Sequence, residues 1–128
     1  MNAQLPKLIM VEYKGRQLPF LNNLASLRNL SIDTGIPTIS GLEKAINHAR
    51  QNSDEIKGIE LLGKNFYYAL KEGHRVSKIP FDMEPEDMLD SELHLAIAEA
   101  VNKNFGIANY SSTDTVKEEE GNAQTQPS

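Results

Sequence analysis

The stretch Gly58-Ile-Glu-Leu-Leu-Gly63-Lys64-Asn65 has the glycine and lysine spacing of a phosphate-binding loop. In such a loop successive backbone N–H groups wrap a nucleotide phosphate and the lysine reaches it. Here the lysine is followed by Asn65, which lacks the hydroxyl that holds magnesium, and Glu60, Leu61 and Leu62 fill the loop itself. The segment therefore reads as apolar core. His48, His74 and His94 lie 26 and 20 residues apart, without the i, i+4 pairing that sets two imidazoles on one helix face for a metal. They are expected at the surface or its boundary. Asp82, Glu84, Glu86, Asp87, Asp90 and Glu92 crowd one segment, but a calcium loop needs a turn glycine, and Pro85 interrupts the ligand spacing. They read as the solvated start of a helix. There is no Gly-x-Ser-x-Gly elbow, and the absence of cysteine removes thiolate catalysis, cysteine-ligated zinc and disulfides together. No cofactor or metal is expected, and the chain reads as non-enzymatic.

What remains is charge. Residues 1–80 carry eleven bases and seven acids, a net +4, whereas residues 81–128 carry two bases and eleven acids, a net −9, which together give the −5 of the whole chain. This division suggests a basic part that meets a polyanion and an acidic part that limits the contact or serves another partner. With 128 residues, 39% of them hydrophobic, the chain accommodates one small domain, assigned to 5–107, followed by an acidic tail over 108–128 whose Ser, Thr, Glu, Gln and Pro favour disorder. Met1 to Lys7 offers no basic region leading into a long apolar run, and no stretch approaches the roughly twenty apolar residues of a membrane span. A soluble cytoplasmic protein with no membrane partner is the expectation.

The positioning elements follow from the pattern. β-Branched and aromatic residues flank Lys14-Gly15, which predicts a β-hairpin over Lys7 to Phe20 with Pro19 at the end or edge of its second strand. Leu21, Leu24, Leu27 and Leu30 predict a short helix ended by Gly35 and Pro37. Ser40-Gly41-Leu42-Glu43 has the capping-box form and predicts a helix from about Gly41 to Gln51, with Leu42, Ala45, Ile46 and Ala49 buried. Asn52-Ser53-Asp54 reads as a turn and a new N-cap.

Residues 55–80 admit either a hairpin turning at Gly63 or a helix ending with Gly73 at C′, and the helix is preferred. The hairpin gains support from an echo of Val11–Phe20 in Ile59–Tyr68, offset by 48 residues, although Glu and Gly alone are identical. Arg75 to Phe81 reads as extended. Glu84-Pro85-Glu86-Asp87 opens a last helix with a stripe of Leu89, Leu93, Ile97, Ala100 and Val101, stopped by Gly106. The fold class is α+β, mainly helical: a hairpin, then three or four short helices.

Helix, Gly-containing turn and polar-faced helix over Leu24 to Ile46 is the plan of a helix-turn-helix, shorter by about two residues in the turn. Asp54 to Lys78, with Glu60-Leu-Leu-Gly63 ahead of Phe66-Tyr-Tyr-Ala-Leu-Lys-Glu-Gly73, similarly resembles the small winged-helix units of phage excisionases, with a gap after the glycine. These likenesses imply a small DNA-binding or DNA-associated regulator of a phage or other mobile element. Ser40, Lys44, Asn47 and Gln51 would face base edges, while Lys14, Arg16, Arg28, Arg50, Arg75 and Lys78 would neutralise phosphates. The alternative is an adaptor or inhibitor that presents the acidic 82–92 segment to a basic protein surface, as a DNA mimic would. The oligomeric state is open.

Overall fold

The computed structural model describes residues 7–105. Strands β1 (Ile9–Tyr13) and β2 (Arg16–Phe20) form an antiparallel pair in which Val11 faces Leu18 and Tyr13 faces Arg16. Lys14 and Gly15 both take positive φ, 49° and 77°, as the tightest hairpin turns require. Strand alternation buries Ile9 and Val11 and turns Met10 and Glu12 outward. Pro19 is tolerated within β2 because a two-stranded sheet leaves its missing N–H on an edge.

Helix α1 (Leu24–Thr34) starts later in its leucine row than the spacing suggests, leaving Leu21 ahead of it. Asn23 is its N-cap: the carboxamide oxygen accepts from the Ser26 N–H at 3.0 Å, and the Ser26 hydroxyl accepts from the Asn23 N–H at 2.9 Å. Leu27 and Leu30 are buried but Leu24 is 68% exposed. A step of three residues falls short of a full turn, so the row drifts off the core. Gly35, at φ 78°, ends the helix as expected.

Helix α2 (Ile39–Gln51) is capped by Thr38, whose hydroxyl accepts from the Gly41 N–H at 3.0 Å. The expected cap at Ser40 is thus corrected: Ser40 lies within the first turn and is exposed. The cap is tightly packed on Gly41, since a Cβ there would meet the Thr38 hydroxyl and the Ile36 side chain at 2.9 Å. Leu42, Ile46 and Ala49 are buried as predicted, whereas Ala45 is half-buried.

Helix α3 (Ile56–Ser77) settles the ambiguous stretch as one continuous helix of 22 residues. Its N-cap is Glu55 rather than Asp54, and Asn52 instead closes α2. Val11–Phe20 is a hairpin and Ile59–Tyr68 is helical, so their echo is not a repeated structural unit. The Gly58–Asn65 segment commits its backbone to the helix, which leaves no loop to cradle a phosphate and no turn at Gly63. Gly73 does not end α3. The helix runs on through Arg75–Ser77, which corrects the extended reading there, and stops at Lys78 in the left-handed conformation, φ 58°.

A 3-10 turn, Pro85–Leu89, precedes α4 (Ser91–Phe105). The single helix predicted from Glu84 breaks at Asp90, whose carboxylate accepts from the Glu92 N–H at 2.9 Å and starts the chain afresh. Leu93, Ile97, Ala100 and Val101 are buried, but Leu89, before the break, is 57% exposed. The expected stop at Gly106 and the acidic tail lie outside the described residues.

α3 is the spine. On one side Phe66, Ala69 and Leu70 pack with the hairpin, Met83, Met88 and α4. On the other, Leu27, Leu30, Leu42 and Ile46 gather against Leu61 and Tyr68. This is an α+β, mainly helical fold, and none of its described helices is long and apolar enough to cross a membrane.

Candidate nucleic-acid interface

The structure brings Ser40, Lys44, Asn47 and Gln51 onto one side of α2. Their spacings of four, three and four residues follow the helical repeat, and all four are exposed. The opposite side of the helix is anchored by Leu42, Ile46 and Ala49. Arg50 is half-buried and donates to the Asn47 carboxamide oxygen, which leaves the Asn47 NH2 out of that contact. α1 and α2 each pack chiefly on α3 and touch one another less. Arg28 lies on the outer side of α1, donating to Asn29 at 3.3 Å.

The other predicted phosphate ligands fall elsewhere. Lys14 lies in the hairpin turn and Arg16 directly follows it, and both face acids. Arg16 Nη2 donates to Asp82 Oδ1 at 3.0 Å, and Lys14 Nζ lies 3.5 Å from Asp90 Oδ2, which also accepts from the Tyr13 hydroxyl. The hydroxyl of Tyr13 holds the Asp90 carboxyl below its usual range, and Arg16 does the same for Asp82. Arg75 makes a two-pronged contact to Glu72, at 2.8 and 2.7 Å, on the last turns of α3. Glu72 is 5% exposed and accepts a third bond, from Asn23 Nδ2 at 2.8 Å. Arg75 above all holds its carboxyl down at about 2, against the pull of burial. Lys78 is exposed at the end of α3.

Sequence reasoning missed several polar residues that matter to the architecture. Asp33 joins α1 to α3 by accepting from Lys64 at 3.0 Å and from the Tyr68 hydroxyl at 2.6 Å; burial, with that bond, pushes Tyr68 up to about 12. His74 is fully buried rather than at the surface, its Nδ1 lying 2.7 Å from the Leu70 carbonyl and its ring against Phe81. No sequence signal announces these partners, which lie dozens of residues apart or one helical turn inside a helix. Among the described residues no group of three His, Asp or Glu side chains is placed to hold a metal. No protein-family model, curated protein or solved structure matches this chain.

Proposed function

We propose that the chain is a small, non-enzymatic, cytoplasmic DNA-binding regulator that lays α2 against the double helix. The observation that carries this reading is the exposed row Ser40, Lys44, Asn47 and Gln51 on a helix firmly anchored by its other side. Asn and Gln can each make two hydrogen bonds to the major-groove edge of adenine, at N6 and N7, Lys can donate to guanine, and Ser bonds to either. Arg28 and Arg50, with Lys78, supply phosphate contacts that fix register without reading sequence. The adaptor reading draws less from the geometry, because Asp82 and Asp90 turn toward the chain's own hairpin.

The test is fluorescence anisotropy of the full chain on labelled duplexes of random and varied sequence, at low and moderate salt. Lys44→Ala is expected to weaken binding and flatten the salt slope by about one unit. Asn47→Ala should leave the melting temperature unchanged and reduce discrimination between duplexes. Absence of binding at low salt overturns the reading and moves the assignment to the acidic adaptor.

A further inference from the structure

The tip of the hairpin presents two bases, Lys14 in its two-residue turn and Arg16 at the start of β2, and both are met by acids remote in sequence. The side chains of Lys14 and Arg16 are 58% and 49% exposed, so a large anion has access to them. Their partners sit in a segment that is pinned down. Met83 and Met88, between Asp82 and Asp90, are 7% and 2% exposed and belong to the main core. Asp90 is fixed further by the Glu92 N–H and the Tyr13 hydroxyl.

The geometry points to the hairpin tip as a second polyanion-binding site, occupied by the chain's own carboxylates, so that Asp82 and Asp90 compete with nucleic-acid phosphates for Lys14 and Arg16. Exposed ion pairs of this kind are weak and screened by salt. A polymer that offers many phosphates at once displaces them, and the contact tunes affinity instead of blocking it. The nucleic-acid identity of the ligand rests on the DNA-binding reading of α2; the chemistry of the tip requires an anionic polymer alone.

Heparin serves as that polymer, so the tip is tested apart from α2. The full chain, Asp82→Asn/Asp90→Asn and the charge-matched control Glu86→Gln/Glu92→Gln are compared for heparin affinity across salt. Both pairs change net charge equally, and Glu86 and Glu92 are exposed acids of the same region. Asn at 90 retains an oxygen for the Glu92 N–H, which preserves the start of α4.

The first pair is expected to bind heparin at least roughly threefold more tightly than the control at low salt, with a slope steeper by up to about two. Adding Lys14→Ala/Arg16→Ala to it should erase the gain. Equal gains in the two pairs, or a gain that survives loss of both bases, overturns the inference. Asp82→Asn alone, expected to steepen the slope by about one, decides the matter should circular dichroism show the double variant unfolded. If heparin results hold while Lys44→Ala and Asn47→Ala leave duplex binding unchanged, the α2 reading falls and the tip site stands. The reverse pattern rejects the tip site alone.

Discussion

Gly73 lies so close beneath Pro19 that a Cβ on it would stand 2.3 Å from the Pro19 carbonyl oxygen and 2.6 Å from the Phe20 nitrogen. Backbone lies against backbone there, and the adjacent Leu21 N–H donates to the Ala69 carbonyl of α3 at 2.9 Å. Neither partner can rotate aside as a side chain would. Gly73→Ala is expected to destabilise the fold by about 1–3 kcal/mol or more, despite the roughly 1 kcal/mol that Ala gains over Gly in a helix. Gly58→Ala and Gly63→Ala meet Ala49 and Met88 at 3.2 and 3.3 Å and should cost clearly less. Denaturant melts of the three variants check the order, and a Gly73→Ala protein as stable as wild type would disprove the close approach.

That glycine also marks where sequence reading stops. The hairpin was legible because Lys14-Gly15 between two apolar runs is a local signal, and α2 because Leu42, Ile46 and Ala49 repeat at helical spacing. Gly73 followed an apolar helix and so looked like its end; what requires glycine there is β2, more than fifty residues earlier in the chain. Asp90 shows the same difficulty, since acids near a proline look alike whether they open one helix or join two. The exposed side of α2 was legible from the pattern, whereas the pairing of Lys14 and Arg16 with Asp90 and Asp82 is a product of tertiary packing.

The break at Asp90 divides the predicted last stripe into positions of unlike weight. Leu93 and Ile97 are completely buried, whereas Leu89, before the break, is 57% exposed; Leu95, off the stripe on the outer side of α4, is 59% exposed. Truncating Leu93 or Ile97 to Ala is expected to cost about 2–5 kcal/mol, by lost burial and the cavity left behind. Leu89→Ala and Leu95→Ala should stay within about 0.5 kcal/mol of wild type, as surface changes do. Chemical denaturation of the four variants measures this contrast, and equal losses would place the core boundary elsewhere.

Glu72 ties α3 to the cap of α1, and its charge matters to stability. Its carboxyl falls from an ordinary 4.5 to about 2 in the folded chain, chiefly through Arg75. A depressed carboxyl contributes stability that is complete above its unfolded value and disappears as pH drops through the folded one. Glu72→Gln should therefore lower the melting temperature at pH 7, with the gap to wild type closing between about pH 4.5 and pH 2. Thermal melts across that range decide it; a gap independent of pH would mean that shape rather than charge is what Glu72 supplies.

Thr38 and Ser40 separate stability from recognition on α2. The Thr38 hydroxyl caps the helix through the Gly41 N–H, whereas Ser40 is exposed within the first turn. Thr38→Ala should cost about 1 kcal/mol by leaving that N–H without its cap. Ser40→Ala should leave the melting temperature unchanged or raise it slightly, because Ala is the better residue inside a helix. Ser40 thus becomes a clean probe of the proposed interface: any change that Ser40→Ala makes in duplex discrimination must come from the lost hydroxyl, not from a frayed helix. Thermal melts of both variants beside anisotropy of Ser40→Ala on matched duplexes give the answer. A Ser40→Ala protein that melts as early as Thr38→Ala would return the cap to Ser40 and shorten α2 by its first two residues.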